Sequence, residues 1–263
     1  MSNVTALRAA PATPVAIANM IAIASGKGGV GKTWLAISLS HALAECGRRT
    51  LLFDGDLGLA NVDVQLGLAP DRDLGGVLAG RYTLERAAVE VPGGAFAVIA
   101  GRSGSGTLAN LPANKLNDLS RGLRDLAAGY DSMVLDLGAG IERTVRHLAL
   151  LAGCGLVVIN DEPTSLTDAY AFIKLCLAQN PAADLRVVVN MAANKSEGER
   201  TYGTLRRACE SFLKAAPPLL GTIPRDPKVK DAIRSQTSIL TRHPNCEAAQ
   251  AVMALAKRLV SEL

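Results

Sequence analysis

No run of this chain is long enough to cross a bilayer. The most apolar stretch, Leu148 to Asn160, is broken by glycines and falls short of the ~18 residues a span needs. The first 19 residues hold one arginine and no long apolar core, which argues against a secretory signal and for a cytoplasmic chain. The five cysteines (Cys46, Cys154, Cys176, Cys209 and Cys246) stand far apart. With no C-x-x-C pair, neither a zinc knuckle nor a dithiol redox motif is written. His41, His147 and His243 are equally isolated and read as structural or surface residues. There is no basic tail, so nucleic-acid binding lacks compositional support. The net charge of +4 permits an acidic partner or a membrane surface without arguing for either.

What is present is a chain of 263 residues, 49% of them hydrophobic, enough for one large α/β domain with a sizeable core. Residues 1–19 are rich in Ala and Pro without a period, which suits a tail leading into residues 20–263 as a single domain. From Met20 onward short Val, Ile and Leu runs alternate with helical patterns. The expected strands are Met20 to Ser25, Thr50 to Asp54, Ala95 to Ala100, Ser132 to Leu137, Leu156 to Asn160, Leu185 to Asn190 and Leu219 to Pro224. Most lack alternation, as strands covered on both faces do, so the sheet should be mostly parallel. Helices are expected at Trp34 to Cys46, Ala113 to Ala128, Thr164 to Gln179 and Ser196 to Lys214. Gly101 to Gly106, GRSGSG, has the composition of a surface loop.

One segment carries most of the chemistry. GKGGVGKT, Gly26 to Thr33, fits the phosphate-loop pattern G-x-x-x-x-G-K-[ST] at every fixed position. Gly28, Gly29, Val30 and Gly31 can turn their N–H groups toward phosphate oxygens. Lys32 reaches the terminal phosphates, and the Thr33 hydroxyl is placed to hold Mg²⁺. An apolar strand precedes the loop and a helix beginning at Trp34 follows it, which together make an anion site. The fold class is therefore α/β: a three-layer P-loop NTPase fold, a mostly parallel twisted sheet with helices on both faces.

A second lysine, Lys27, directly follows the first glycine. With it, KGGVGKT resembles the deviant Walker A signature of the MinD/ParA family of ATPases. That resemblance implies ATP and ADP as ligands, Mg²⁺ as the metal, and an ATP-dependent homodimer in which Lys27 crosses the interface to the partner's nucleotide. Leu51 to Leu68 resembles the family's first switch region, which would make Asp56 the residue that positions the attacking water near the metal. Asp54 is left a structural role or one supporting the metal's waters. Asp136 closes an apolar strand before Gly-Ala-Gly and is similar to the Walker B acid, which reaches Mg²⁺; Leu137 stands where the family more often has a small or polar residue. By the same resemblance Glu162 would touch the partner's ribose and Asp168 would pair with Lys27. A plain alternative is that both acids favour a helix N-terminus. Asn190, with Pro224, Arg225 and Asp226, would frame the adenine; a strand-ending Asn is also a common turn residue.

Within the family, GLANVD and EPTSLTDAYA look most like the flagellar-number regulators of the FlhG/FleN subgroup. The subgroup's partners, a flagellar transcription activator or the SRP-type GTPase FlhF, are implied with it. The DQAxxLR helix with which many members stimulate FlhF is not found in residues 1–19, and Trp34, which the resemblance places among the nucleotide-binding residues, replaces a small or polar residue. Glu247 to Leu263 carries Ala251, Leu255, Ala256, Leu259 and Leu263 at helical spacing. That stripe suits a membrane interface or a last fold helix; with no spacer before it, packing on the sheet is expected. Two other functions compete. A ParA/MinD-type positioning ATPase, acting in DNA partition or septum placement, would draw on Arg200, Arg206, Arg207 and Lys214, although such a run usually marks a solvated face. A metabolic phosphate-loop enzyme would need a second substrate motif or bridging cysteines, and neither is visible.

Overall fold

Successive residues of a strand point to opposite faces, and in β1 (Ile17–Ser25) both faces are apolar. Met20, Ala22 and Ala24 enter one buried cluster, and Ile21 and Ile23 enter the other. β2 (Thr50–Gly55), β5 (Ser132–Ala139) and β7 (Leu185–Ala192) divide their residues the same way. Only a sheet sandwiched between two helical layers satisfies that pattern. The computed structural model describes residues 14–56, 58–101 and 111–262. Its remaining strands are β3 (Val89–Glu90), β4 (Ala97–Ile99), β6 (Ala152–Ile159) and β8 (Leu219–Pro224). They join one sheet in the order β3-β4-β2-β5-β1-β6-β7-β8, parallel except for the β3–β4 pair.

The helices are α1 (Lys32–Glu45), α2 (Val62–Leu66), α3 (Leu74–Leu78), α4 (Leu84–Ala87), α5 (Ala113–Ala127), α6 (Arg143–Leu151), α7 (Pro163–Gln179), α8 (Lys195–Leu213), α9 (Pro227–Arg234), α10 (Ile239–Arg242) and α11 (Glu247–Glu262). α3 to α8 cover one face of the sheet; α1, α2 and α9 to α11 cover the other.

β1 starts at Ile17, three residues before the expected strand. Ile17 is buried, and the Asn19 side chain donates to the carbonyls of Ala127 and Tyr130, both at 2.8 Å, so long-range contacts extend the strand into the Ala-rich stretch. Residues 1–13 of the expected tail and all but Gly101 of the expected glycine–serine loop lie outside the described residues. The short β3 was not expected; two residues carry no period.

α11 is a fold helix. Val252, Leu255, Ala256 and Leu259 are buried against α1 and β8, and a Cβ placed on Gly221 of β8 would lie 2.5 Å from Leu255 Cδ2. Among the described residues no helix is long and apolar enough to cross a membrane. Leu255→Ala is expected to cost about 2–5 kcal/mol of stability. A urea melt should show a lower midpoint with the slope retained; an unmoved midpoint would contradict the packing role.

Candidate nucleotide site

Parallel strands put their carboxyl ends on one edge, and the candidate residues gather there. In the ladder Asp54 of β2 is level with Asp136 of β5, and Asp136 is level with Ile23, three residues before the glycine loop. Gly29 (φ 80°) and Gly31 (φ 90°) adopt the left-handed backbone that makes the loop curl. Gly31 is the N-cap of α1, and no side chain caps that end. Its first-turn N–H groups are thus left for an anion.

The loop is braced from a distant strand. Asn190, buried at the end of β7, donates its amide to the Val30 carbonyl at 2.8 Å and accepts from the Met191 N–H at 2.9 Å. A Cβ on Gly31 would fall 2.4 Å from the Asn190 nitrogen. Gly31→Ala should therefore combine a strained φ with a displaced brace. Its nucleotide affinity, read by calorimetry, is expected to fall at least tenfold, and unchanged affinity would refute the close fit.

Lys32 is buried and donates to Ser25 Oγ at 2.9 Å. Burial pulls its pKa down, and the charges of Asp136 and Asp56 oppose the shift. Asp136, on the adjacent strand, receives the Thr33 hydroxyl. Burial, and then the Asp54 charge, raise its pKa to about 8. Burial also raises Asp54, to about 7, against the N–H groups of Val62 and Asp56 that it accepts. Asp54 takes N–H bonds from Asp56, Asn61 and Val62, each at 3.2 Å, and so ties the start of α2 to β2. Asp56 accepts from Gly58 at 3.2 Å and Leu59 at 3.0 Å and faces the cleft.

That cleft encloses about 670 Å³ between the glycine loop, Asp56, Gly138, Glu142 and Ile233. Its residues fit a nucleotide with Mg²⁺. Two crowded, buried acids call for a cation, and Asp136 Oδ1 is buried without a partner among the described residues. Thr33 beside it would supply the second oxygen.

Other expected residues are placed differently. Lys27 Nζ pairs with Glu162 of the same chain and donates to Thr164 Oγ1 at 2.8 Å. The Lys27 contact, then Asn160, hold the Glu162 carboxyl below its usual range. Asp168 does not pair with Lys27 here; its backbone packs on Gly26, 2.2 Å from where a Cβ would stand. Asp226 caps α9 through Lys228 N at 2.9 Å, and Arg225 Nε donates to the Met191 carbonyl at 3.5 Å. Asn190, Pro224, Arg225 and Asp226 do not line the cleft of the loop. Ser25, Gln65 and Glu142 were not foreseen. Ser25 was findable as the last strand residue before the loop; the other two carried no local signal.

A family of CobQ/CobB/MinD/ParA nucleotide binding domains matches residues 21–239, which contain every element of this site. The chain belongs to this family. Its relatives include "Antiactivator FleN" of Pseudomonas aeruginosa, 38% identical, with the match covering 92% of this chain and 86% of the relative. "Flagellum site-determining protein YlxH" of Helicobacter pylori is 31% identical over 92% of this chain and 82% of its own. Among solved structures, the septum site-determining protein MinD of Pyrococcus horikoshii, complexed with Mg-ADP, superposes with a TM-score of 0.75. It is 26% identical, with 92% of this chain and 96% of that one covered. MinD/ParA proteins are nucleotide hydrolases of the P-loop class.

Proposed function

We propose that this MinD/ParA protein is an ATP-driven switch that regulates flagellar number or assembly. The observation that carries the ATPase half is the joining of the double-lysine glycine loop to the buried, partnerless Asp136 Oδ1 beside Thr33. The flagellar half rests on the similarity to FleN along 92% of the chain.

ATP lies with its phosphates on the N–H groups of the glycine loop and α1. Lys32 meets the terminal phosphates, and Thr33 and Asp136 hold Mg²⁺, which offsets phosphate charge. Asp56, at the mouth of the cleft, orients the attacking water. Lys27 and Glu162 open their pair within the chain to reach a second copy, Lys27 toward its phosphates and Glu162 toward its ribose. Exposed Leu59, Val64 and Ile141 offer apolar surface around the cleft for that contact. The ATP-bound dimer then acts on a flagellar transcription activator or an FlhF-type GTPase, from the cytoplasm or the cell pole, and hydrolysis releases it.

Light scattering tests the switch: a dimer with ATP and a monomer with ADP are expected. A monomer in both would remove it. Counting flagella after deletion tests the regulatory role, with supernumerary flagella expected and an unchanged count against it. Of the four cations that the positioning alternative through DNA would draw on, Arg206 is paired with Glu210 on α8.

A further inference from the structure

Ser25 is the last residue of β1, directly before the glycine loop, and is 1% exposed. Its backbone is fixed from β5: it is level with Ala139, and its carbonyl accepts the Gly140 N–H at 3.0 Å. Its hydroxyl meets both lysines of the loop. Oγ donates to the Lys27 carbonyl at 2.5 Å and receives Lys32 Nζ at 2.9 Å.

The direction of these bonds follows from the groups. A carbonyl only accepts, and an ammonium only donates. The single hydroxyl proton is therefore committed to Lys27, and the lone pairs face Lys32. For Lys32, which is buried, Ser25 Oγ is the one hydrogen-bond partner among the described residues. The backbone that leads to Lys27 is confined from a second side as well. A Cβ on Gly26 would lie 2.2 Å from the backbone of Asp168 on α7, so the turn is held between α7 and the Ser25 hydroxyl.

We propose that Ser25 is a positioning residue of the nucleotide reaction. In the empty cleft its oxygen holds the Lys32 ammonium where a phosphate oxygen will take it over, and its proton pins the backbone from which Lys27 reaches the second copy. The inference rests on the ATP-switch reading of the site. The two bonds act on different steps, and their loss has opposite signs. Without Oγ the buried ammonium of the empty protein loses its partner, whereas in the bound protein it has the phosphate, so binding tightens. Without the bond to its carbonyl Lys27 is less well placed, and a misplacement of about 1 Å in a reacting constellation can cost about 10²-fold in rate.

Calorimetry with Mg²⁺ and ADP and phosphate release from ATP read the two steps in Ser25→Ala. ADP is expected to bind about three- to tenfold more tightly, the size of one hydrogen bond to a charged group after water has replaced part of it. Turnover is expected to fall at least about tenfold. A residue that merely supports the fold would weaken binding and turnover together, and that result would overturn the proposal. So would a variant equal to wild type in both, or tighter binding with unchanged turnover, which leaves Lys27 unaffected. Ser25→Cys, kept reduced, retains the shape and makes both bonds weaker. It should move both quantities in the same directions, and it carries the test if a urea melt shows that alanine does not fold. A cysteine variant indistinguishable from wild type would assign the effect to shape and overturn the proposal. If wild type bound no ADP, or stayed monomeric with ATP, the switch reading itself would fail instead.

Discussion

Lys27→Ala is expected to bind ADP and ATP normally, to stay monomeric with ATP, and to lose about 10³–10⁵ in hydrolysis rate, the range for a cation supplied across an interface. The groups that hold the nucleotide within one chain remain in this variant: the glycine N–H groups, Lys32 and Thr33. Lys27 points elsewhere, with its side chain 33% exposed and its ammonium on Glu162 and Thr164 at the start of α7. A partly exposed ion pair of this kind is worth little, so the fold should not suffer. Light scattering and phosphate release read the two effects separately. Normal hydrolysis by Lys27→Ala, with a wild type that never dimerises, would remove the second lysine from the mechanism.

Asp56→Ala should bind ATP and form the dimer but lose about 10²–10⁴ in turnover, the usual worth of a group that positions or activates a nucleophile. Asp56 also accepts the N–H groups of Gly58 and Leu59, so alanine loosens the turn as well. Asp56→Asn separates the roles, because its amide oxygen keeps the turn while the negative charge is gone. Both variants are expected to be slow, with the asparagine dimer at least as stable as the alanine one. A fast Asp56→Asn enzyme would mean that the turn, rather than the carboxylate, is what catalysis needs. The alanine variant, trapped with ATP, is the form with which to look for the flagellar partner.

Much of this was legible in residue order. Seven strands and the four long helices named from periodicity are present, most of them with ends shifted by one to four residues. β1 is longer than its apolar run because Asn19 is held by carbonyls more than a hundred residues away. The C-terminal stripe had two readings, and burial of Leu255 and Leu259 between α1 and β8 decided for packing. Asn190 was expected to face a base on the strength of its strand-end position. The structure shows its amide donating to the Val30 carbonyl of the glycine loop, a contact that strand-end position alone did not reveal.

The sequence by itself determined the phosphate loop, since eight consecutive residues contain all the glycines, lysines and the hydroxyl that an anion cradle needs. It also determined the layered fold, because strands apolar on both faces have no other stable place. The tertiary structure alone decided which acid stands beside which. Asp54 and Asp136 become neighbours only through the β2–β5 register, and Lys27 meets Glu162 only after the chain has passed through five further strands. Periodicity states which face of an element is buried; strand order and register set which elements meet, and those depend on the packing of the whole sheet.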